Sequence, residues 1–162
     1  MPTIPFDQLS DAARVWVFAS DRPLARPQAD RLLGEVDRYL AGWHAHGEPL
    51  TASRDWRDDR FLVIGVDGPA ASGCSIDGLF RSLRALEPVI GASLVAGGRV
   101  FYREPDGQVA AASRDEFADL ATAGRVGADT RVFDTSVTGL GELRERFETE
   151  AARSWHATLL PR

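Results

Sequence analysis

The chain has 162 residues, of which 44% are hydrophobic and 27% charged, and its formal net charge at pH 7 is -5. This make-up predicts one soluble domain, residues 1–162, with a hydrophobic core, and the acidic balance argues against nucleic acid as a partner. The sequence has neither a signal-peptide pattern nor an apolar run long enough to span a bilayer, so we expect a cytoplasmic protein without membrane contact.

The first half of the sequence alternates between strand and helix patterns. β-Branched and aromatic residues predict a strand over 14–20. Apolar residues at helical spacing predict a helix from Pro27, which we expect to end at Gly47. Two further strand patterns, "LTASRDWR" and "RFLVIGVD", are joined at Asp58 and Asp59, a pair typical of a hairpin turn.

A second helix, from Ile76 to near Pro88, and a hairpin of "GRVFYRE" with "QVAAAS" complete residues 1–112. The order β-α-β-β-α-β predicts an α+β protein whose first part has the ferredoxin-like split-βαβ arrangement. Residues 113–162 are predicted to pack against that part as a C-terminal β/α extension.

The extension is predicted to contain a helix, a strand and a closing helix. Ser113 is the expected N-cap of its first helix, "TRVFDTSV" its strand and "GELRERFETEAARSW" its closing helix with a solvated charged face. We expect the last segment, "SWHATLL", to dock, because Trp155, Leu159 and Leu160 would otherwise leave apolar area in water.

The loop before the second helix carries the stretch "GPAASGCS". It fits the phosphate-binding pattern G-x-x-x-x-G-K-[ST], except that Cys74 stands where the lysine belongs. All 19 basic residues are arginine, so no other lysine can contact a terminal phosphate. We therefore expect a tight turn that holds a small anionic or polar ligand, and we do not expect a working ATPase.

Cys74 is the candidate nucleophile of this loop. At a helix N-terminus, free N–H groups and the helix dipole would stabilise its thiolate. The candidate ligand-binding residues beside it are Ser72, Gly73, Ser75 and Asp77. The two serines can cap the helix or donate to a bound oxyanion, and Asp77 can cap the helix or orient a base. The alternative, left open by the sequence, is a cysteine that only fills space in the turn.

A nucleophilic cysteine needs a base, and the candidates are His46 and His156. With either one near Cys74, the protein would be a cysteine-dependent hydrolase or transferase. The function we predict is instead a non-catalytic one, the binding of a small ligand or partner protein near the "SGCSID" turn. We expect no cofactor, and no metal, since one cysteine cannot build a multi-cysteine zinc site and His44 and His46 at a helix end would not share a face.

Four motifs in order, "RVWVFASDR", "WHAHGEPLTA", "SGCSID" and "SWH", resemble a family of small, uncharacterised bacterial proteins. The resemblance covers nearly the whole chain. Members are often labelled "ABC transporter ATPase", but the residues here do not support that label, because the phosphate-loop lysine and the "LSGGQ" signature are both missing. The resemblance therefore implies a family and carries no activity over.

A shorter stretch, residues 101–133, resembles the GYF-like modules of bacterial multidomain proteins, although it lacks the glycine-tyrosine-phenylalanine signature. Those modules are associated with docking peptides, so this resemblance implies a binding role. Taken with the rest of the sequence, we expect the partner to be a small molecule or a protein, and a homodimer is left open.

Overall fold

The structure of the protein is a computed structural model. It describes residues 4–45, 48–49, 51–68, 76–95 and 97–162. The chain divides into two compact units, each of which combines helix with antiparallel sheet, so the predicted α+β class is confirmed. Unit 1 is Met1–Val95 with Ser136–Glu145, and unit 2 is Ala96–Thr135 with Arg146–Arg162. That the whole chain folds as one domain stays a prediction.

Unit 1 contains the elements of the first half of the chain. In chain order they are β1 (Arg14–Ala19), α1 (Arg26–Ala41), β2 (His44–Ala45), β3 (Glu48–Pro49), β4 (Thr51–Arg57), β5 (Phe61–Asp67) and α2 (Asp77–Ile90).

The sheet of unit 1 has three antiparallel strands in the order β1-β5-β4. Its central strand, β5, is buried from Phe61 to Val66, as its nearly unbroken apolar sequence requires. The turn between β4 and β5 places Asp58 and Asp59 at φ 53° and 55°, the left-handed conformation that Asp tolerates better than most residues. The predicted hairpin is therefore confirmed.

Helices α1 and α2 contribute apolar faces to the core of unit 1. α1 ends at a different residue from the one that the sequence predicted, whereas α2 ends near Pro88, as predicted. α1 ends at Ala41 and not at Gly47, because residues 44–45 leave the helix and pair as β2 with β3. α2 continues past Pro88, which lies in the last turn, and ends before Gly91 at φ 72°.

Unit 2 contains the remaining strands. They are β6 (Arg99–Arg103), β7 (Val109–Ser113), β8 (Arg131–Phe133) and β9 (Glu148–Glu150). Helix α3 (Arg114–Thr122) follows β7 directly. Helix α4 (Leu140–Arg146) lies between β8 and β9 in the sequence, and most of it belongs to unit 1. The four strands form one antiparallel sheet in the order β7-β6-β8-β9.

The ferredoxin-like arrangement is not confirmed, because that arrangement needs its four strands in one sheet. Here β6 pairs with β7 and β8, whereas β1, β4 and β5 form a separate three-stranded sheet. The predicted strand at residues 99–103 is confirmed, but a pattern of apolar residues does not specify which strand becomes its neighbour.

The long closing helix predicted for "GELRERFETEAARSW" is wrong. α4 ends at Arg146, and residues 148–150 form β9, which pairs with β8. The side chain of Arg103 on β6 donates to both carboxylate oxygens of Glu148, at 2.9 and 2.8 Å. Strand pairing and this two-point ion pair outweigh the local helical preference of the charged sequence.

The C-terminal segment docks as predicted. Residues 155–159 form a 3-10 helix, and Trp155, Leu159 and Leu160 pack against the core of unit 2, which includes Phe117 and Val132. None of the helices within the described ranges has the length and apolar character needed to cross a membrane.

A close approach between the two helices of unit 1 yields a stability prediction. A Cβ atom added at Gly78, in the first turn of α2, would lie 2.7 Å from the hydroxyl of Tyr39 and 3.1 Å from its ring, whereas one at Gly34 on α1 would meet nothing within 4 Å. Gly78→Ala should therefore destabilise the protein by about 1 kcal/mol or more. Gly34→Ala should stabilise it by about 0.5–1 kcal/mol, because alanine favours helix.

Thermal unfolding of both variants measures the difference. Combining Gly78→Ala with Tyr39→Phe, which removes the hydroxyl in closest approach, should restore part of the lost stability. Equal melting temperatures for the two alanine variants would contradict the proposed close packing of α1 on α2.

Candidate functional site

The predicted loop site falls mainly outside the described residues. Ser72, Gly73, Cys74 and Ser75 lie there, and so does His46. The pairing of Cys74 with a histidine therefore stays a prediction. The structure does describe the two ends of the loop, at Asp67 and Asp77.

At the start of the loop, the carboxylate of Asp67 is held in place by the N-terminal segment. It accepts hydrogen bonds from the backbone N–H and the hydroxyl of Ser10, both at 3.0 Å, and from the N–H of Gly68 at 3.0 Å. These bonds, led by that from the Ser10 backbone, lower the pKa of Asp67. The carboxylate thus ties the end of β5 to Ser10 and Gly68.

At the far end of the loop, Asp77 is the first residue of α2, and its side chain is exposed. The residue before it, Ile76, provides no side-chain cap for the helix. An acidic side chain in the first turn is favourable to the helix dipole. This position suits a helix-stabilising role for Asp77, and its role as a ligand-binding residue stays a prediction.

The structure places His156 in the core of unit 2. The side chain has no exposed surface, its ring stacks on Trp155 at 3.9 Å, and it lies edge-on to Phe117 at 6.3 Å. Its Nδ1 atom is hydrogen-bonded to the hydroxyl of Ser154 at 2.7 Å, and its Nε2 atom is buried without a partner among the described residues.

The surroundings of His156 keep its ring neutral. Burial lowers its pKa to about 4, an effect that the charge of Asp134 opposes and that of Arg114 reinforces. A fully enclosed, neutral ring packs as part of the core, and it offers no surface to which a substrate has access. Within the ranges described, no three His, Cys, Asp or Glu side chains form a cluster suited to a metal ion. The remaining described histidine, His44, lies on β2 and is exposed.

A groove runs along the surface of unit 2. It consists of three cavities of about 300, 320 and 530 Å³, each lined by Tyr102 and Arg125. We call it the Tyr102 groove. Leu120 lines two of the cavities, and Glu104 and Pro105, in the turn after β6, line two of them.

Two elements give the Tyr102 groove its shape. Tyr102 lies on β6, and its ring packs edge-on against Phe117 of α3 at 5.5 Å. After α3 the chain turns at Gly124, at φ 77°, so that the N–H groups of Arg125 and Val126 donate back to the carbonyl of Leu120 at 2.9 and 3.4 Å. This helix end forms one wall of the groove.

The groove combines an apolar floor with charges of both signs. Partial burial raises the pKa of Tyr102, and the carboxylates of Glu104 and Glu116 add to the effect. The guanidinium of Arg125 is exposed. In the sequence, the resemblance of residues 101–133 to peptide-docking modules was the signal that pointed to this region.

The burial of His156 predicts a dependence of stability on acid. The unfolded chain takes up a proton near pH 6.5 and the folded chain only near pH 4, so stability falls as the pH drops through that window. At pH 4 the loss should be on the order of 3 kcal/mol. Urea unfolding of the wild type and of His156→Gln should show a flatter pH dependence for the variant.

Comparing slopes and not absolute stabilities removes the cost of the substitution itself. Parallel pH profiles for the wild type and His156→Gln would show that the histidine is not buried as described.

Comparisons with known proteins add no relative, since no family model, no curated protein and no solved structure matches this chain.

Proposed function

We propose that this protein is a non-catalytic binding protein and that the Tyr102 groove docks a peptide segment of a partner protein. The observation that carries the proposal is the set of cavities that share Tyr102 and Arg125 on one surface of unit 2. Peptide-recognition surfaces combine an aromatic anchor, apolar contacts and a few polar groups that set orientation.

The anchor of the groove is held in place before any ligand arrives. Tyr102 is fixed from below by Phe117, and the α3 wall is fixed by the hydrogen bonds to the Leu120 carbonyl. A binding surface that needs little rearrangement loses less conformational entropy on association. The groove therefore supports docking of a ligand onto an already formed site.

The shape of the groove favours an extended ligand over a compact one. Its cavities reach from Ala111 and Glu116, on the β7 and α3 side, to Thr130 and Arg131, at the start of β8. A small molecule would fill one of these cavities, whereas a peptide segment can contact all of them. The acidic and basic side chains at different points along the groove would set the direction of the peptide.

The sequence-based proposal of a ligand or partner near the "SGCSID" turn stays open beside this one, because residues 69–75 lie outside the described ranges. The cysteine-dependent hydrolase or transferase also stays a prediction, with Cys74 as nucleophile and His46 as base, because His156 is enclosed in the core of unit 2 and offers a substrate no surface. Alkylation of Cys74 followed as a function of pH tests it, since a thiolate at a helix N-terminus reacts well below the usual pKa of a thiol.

The proposal predicts the effect of reversing one charge in the groove. A peptide selected from a displayed random library on the full-length chain should bind Arg125→Glu about tenfold more weakly than wild type, because the substitution reverses a charge that lines every cavity of the groove. Arg153→Glu is the matched control: Arg153 is also exposed, belongs to unit 2 and does not line the groove.

Fluorescence anisotropy with the labelled peptide measures both affinities, and thermal melts check that both variants stay folded. Failure to select any peptide, or equal loss of affinity in the two variants, would contradict docking in the Tyr102 groove.

A further inference from the structure

Strand β7 is an edge of the sheet in unit 2. It pairs with β6 in an unbroken antiparallel register from Arg99–Ser113 to Arg103–Val109, and the sheet order places no described strand on its other side. Edge strands in natural proteins are usually protected by charges, proline or a bulge. The sequence of β7, Val-Ala-Ala-Ala-Ser, has none of these.

The backbone groups that face away from β6 can be identified. The N–H of Glu104 donates to the carbonyl of Gln108 at 2.8 Å, so these two residues form a hydrogen-bonded pair. Because such pairs alternate along an antiparallel ladder, Ala110 and Ala112 also face β6, whereas Val109, Ala111 and Ser113 face outward.

The N–H of Ser113, one of the three residues assigned to the outward side, already has a partner there. The position of that partner supports the assignment. The N–H of Ser113 donates to the Glu116 carboxylate at 2.9 Å. For Val109 and Ala111, no hydrogen bond to the outward backbone groups occurs within the described part of the chain. Their N–H and carbonyl groups therefore form an open edge that can accept a short strand.

The largest cavity of the Tyr102 groove lies along this edge. Its volume is about 530 Å³, and its lining includes Ala111 of β7 together with Glu116 and Asp119 of α3. The two carboxylates are three residues apart on one helix and are both exposed. Arg125 lines the same cavity, so the acidic pair is offset by one basic side chain.

We propose that the partner segment adds as an extra strand to the β7 edge and directs a lysine or arginine side chain toward Asp119 and Glu116. This inference rests on the proposed docking function and specifies its chemistry. Main-chain hydrogen bonds to Val109 and Ala111 provide affinity, and the carboxylates select the cationic side chain. A second copy of this chain fits less well, because pairing two β7 edges would bring two copies of the Glu116 and Asp119 pair and two net charges of -5 together.

The probe for this inference is an acetylated, amidated pentapeptide, VRVRV, with VEVEV as its charge-reversed control, titrated into the isotope-labelled full-length chain and followed by NMR. VRVRV should bind about tenfold more tightly than VEVEV and shift the amide signals of Val109 and Ala111. Asp119→Asn should weaken VRVRV binding, whereas Asp115→Asn should not, since Asp115 lies on the same helix and outside the groove lining.

A proline pair tests the strand addition separately. Ala111→Pro removes an outward N–H and should keep the ladder to β6 but reduce VRVRV binding about tenfold, because proline is tolerated where a strand faces outward. Ala110→Pro removes a donor to β6 and should lower the melting temperature. If Ala111→Pro does not fold, the VRVRV preference and the Asp119→Asn effect still decide the cationic part of the proposal.

Several results would overturn the inference. Unchanged affinity in a folded Ala111→Pro variant would exclude strand addition, and equal binding of VRVRV and VEVEV would exclude the cationic preference. If library-selected peptides bind through Arg125 while VRVRV does not bind, the docking function stands and this inference fails. Sedimentation showing a dimer that Ala111→Pro dissociates would make a second copy of the chain the occupant of the edge.

Discussion

Ser113 is both the last residue of β7 and the N-cap of α3, and the geometry of the Tyr102 groove depends on this double role. Its hydroxyl accepts from the N–H of Glu116 at 3.0 Å, and its own N–H donates to the Glu116 carboxylate. This reciprocal capping box starts α3 without an intervening loop. The helix is thereby fixed against the edge of the sheet, and the space between them becomes the groove.

The C-terminal segment supports α3 from the opposite direction. Trp155 lies under the guanidinium of Arg114 at 5.0 Å and stacks on His156, which in turn contacts Phe117. Phe117 is completely buried, and its ring makes an edge-to-face contact with the ring of Tyr102. A series of ring contacts thus connects the end of the chain to the aromatic anchor of the groove, and the buried neutral histidine is part of that support.

Local signals in the sequence were sufficient for most individual elements. The Asp58–Asp59 turn and the Ser113 cap are set by residues next to one another, so they can be recognised without knowing the fold. The neighbours of β6 and the formation of β9 were not predictable in this way. They depend on contacts such as Arg103 with Glu148, which join residues far apart in the sequence.

The candidate functional sites differ in the same way, since one was identified from a local pattern and the other depends on residues far apart in the sequence. Cys74 and its neighbours were identified from a local pattern, and their chemistry stays a prediction. The Tyr102 groove arises because β6, the end of α3 and the turn at Gly124 come together in the folded unit. Short-range patterns in a single sequence do not show that these three elements pack together. Only the resemblance of residues 101–133 to peptide-docking modules pointed to this part of the chain.

Amide hydrogen exchange of the full-length chain, with and without a library-selected peptide, tests the central claim most directly. Docking in the Tyr102 groove predicts slower exchange in the peptide complex at residues 102–104 and 109–111 and around the turn at residues 124–126, because bound peptide shields these amides from water. Protection confined to unit 1, or no change in exchange at these positions under saturating peptide, would contradict the account.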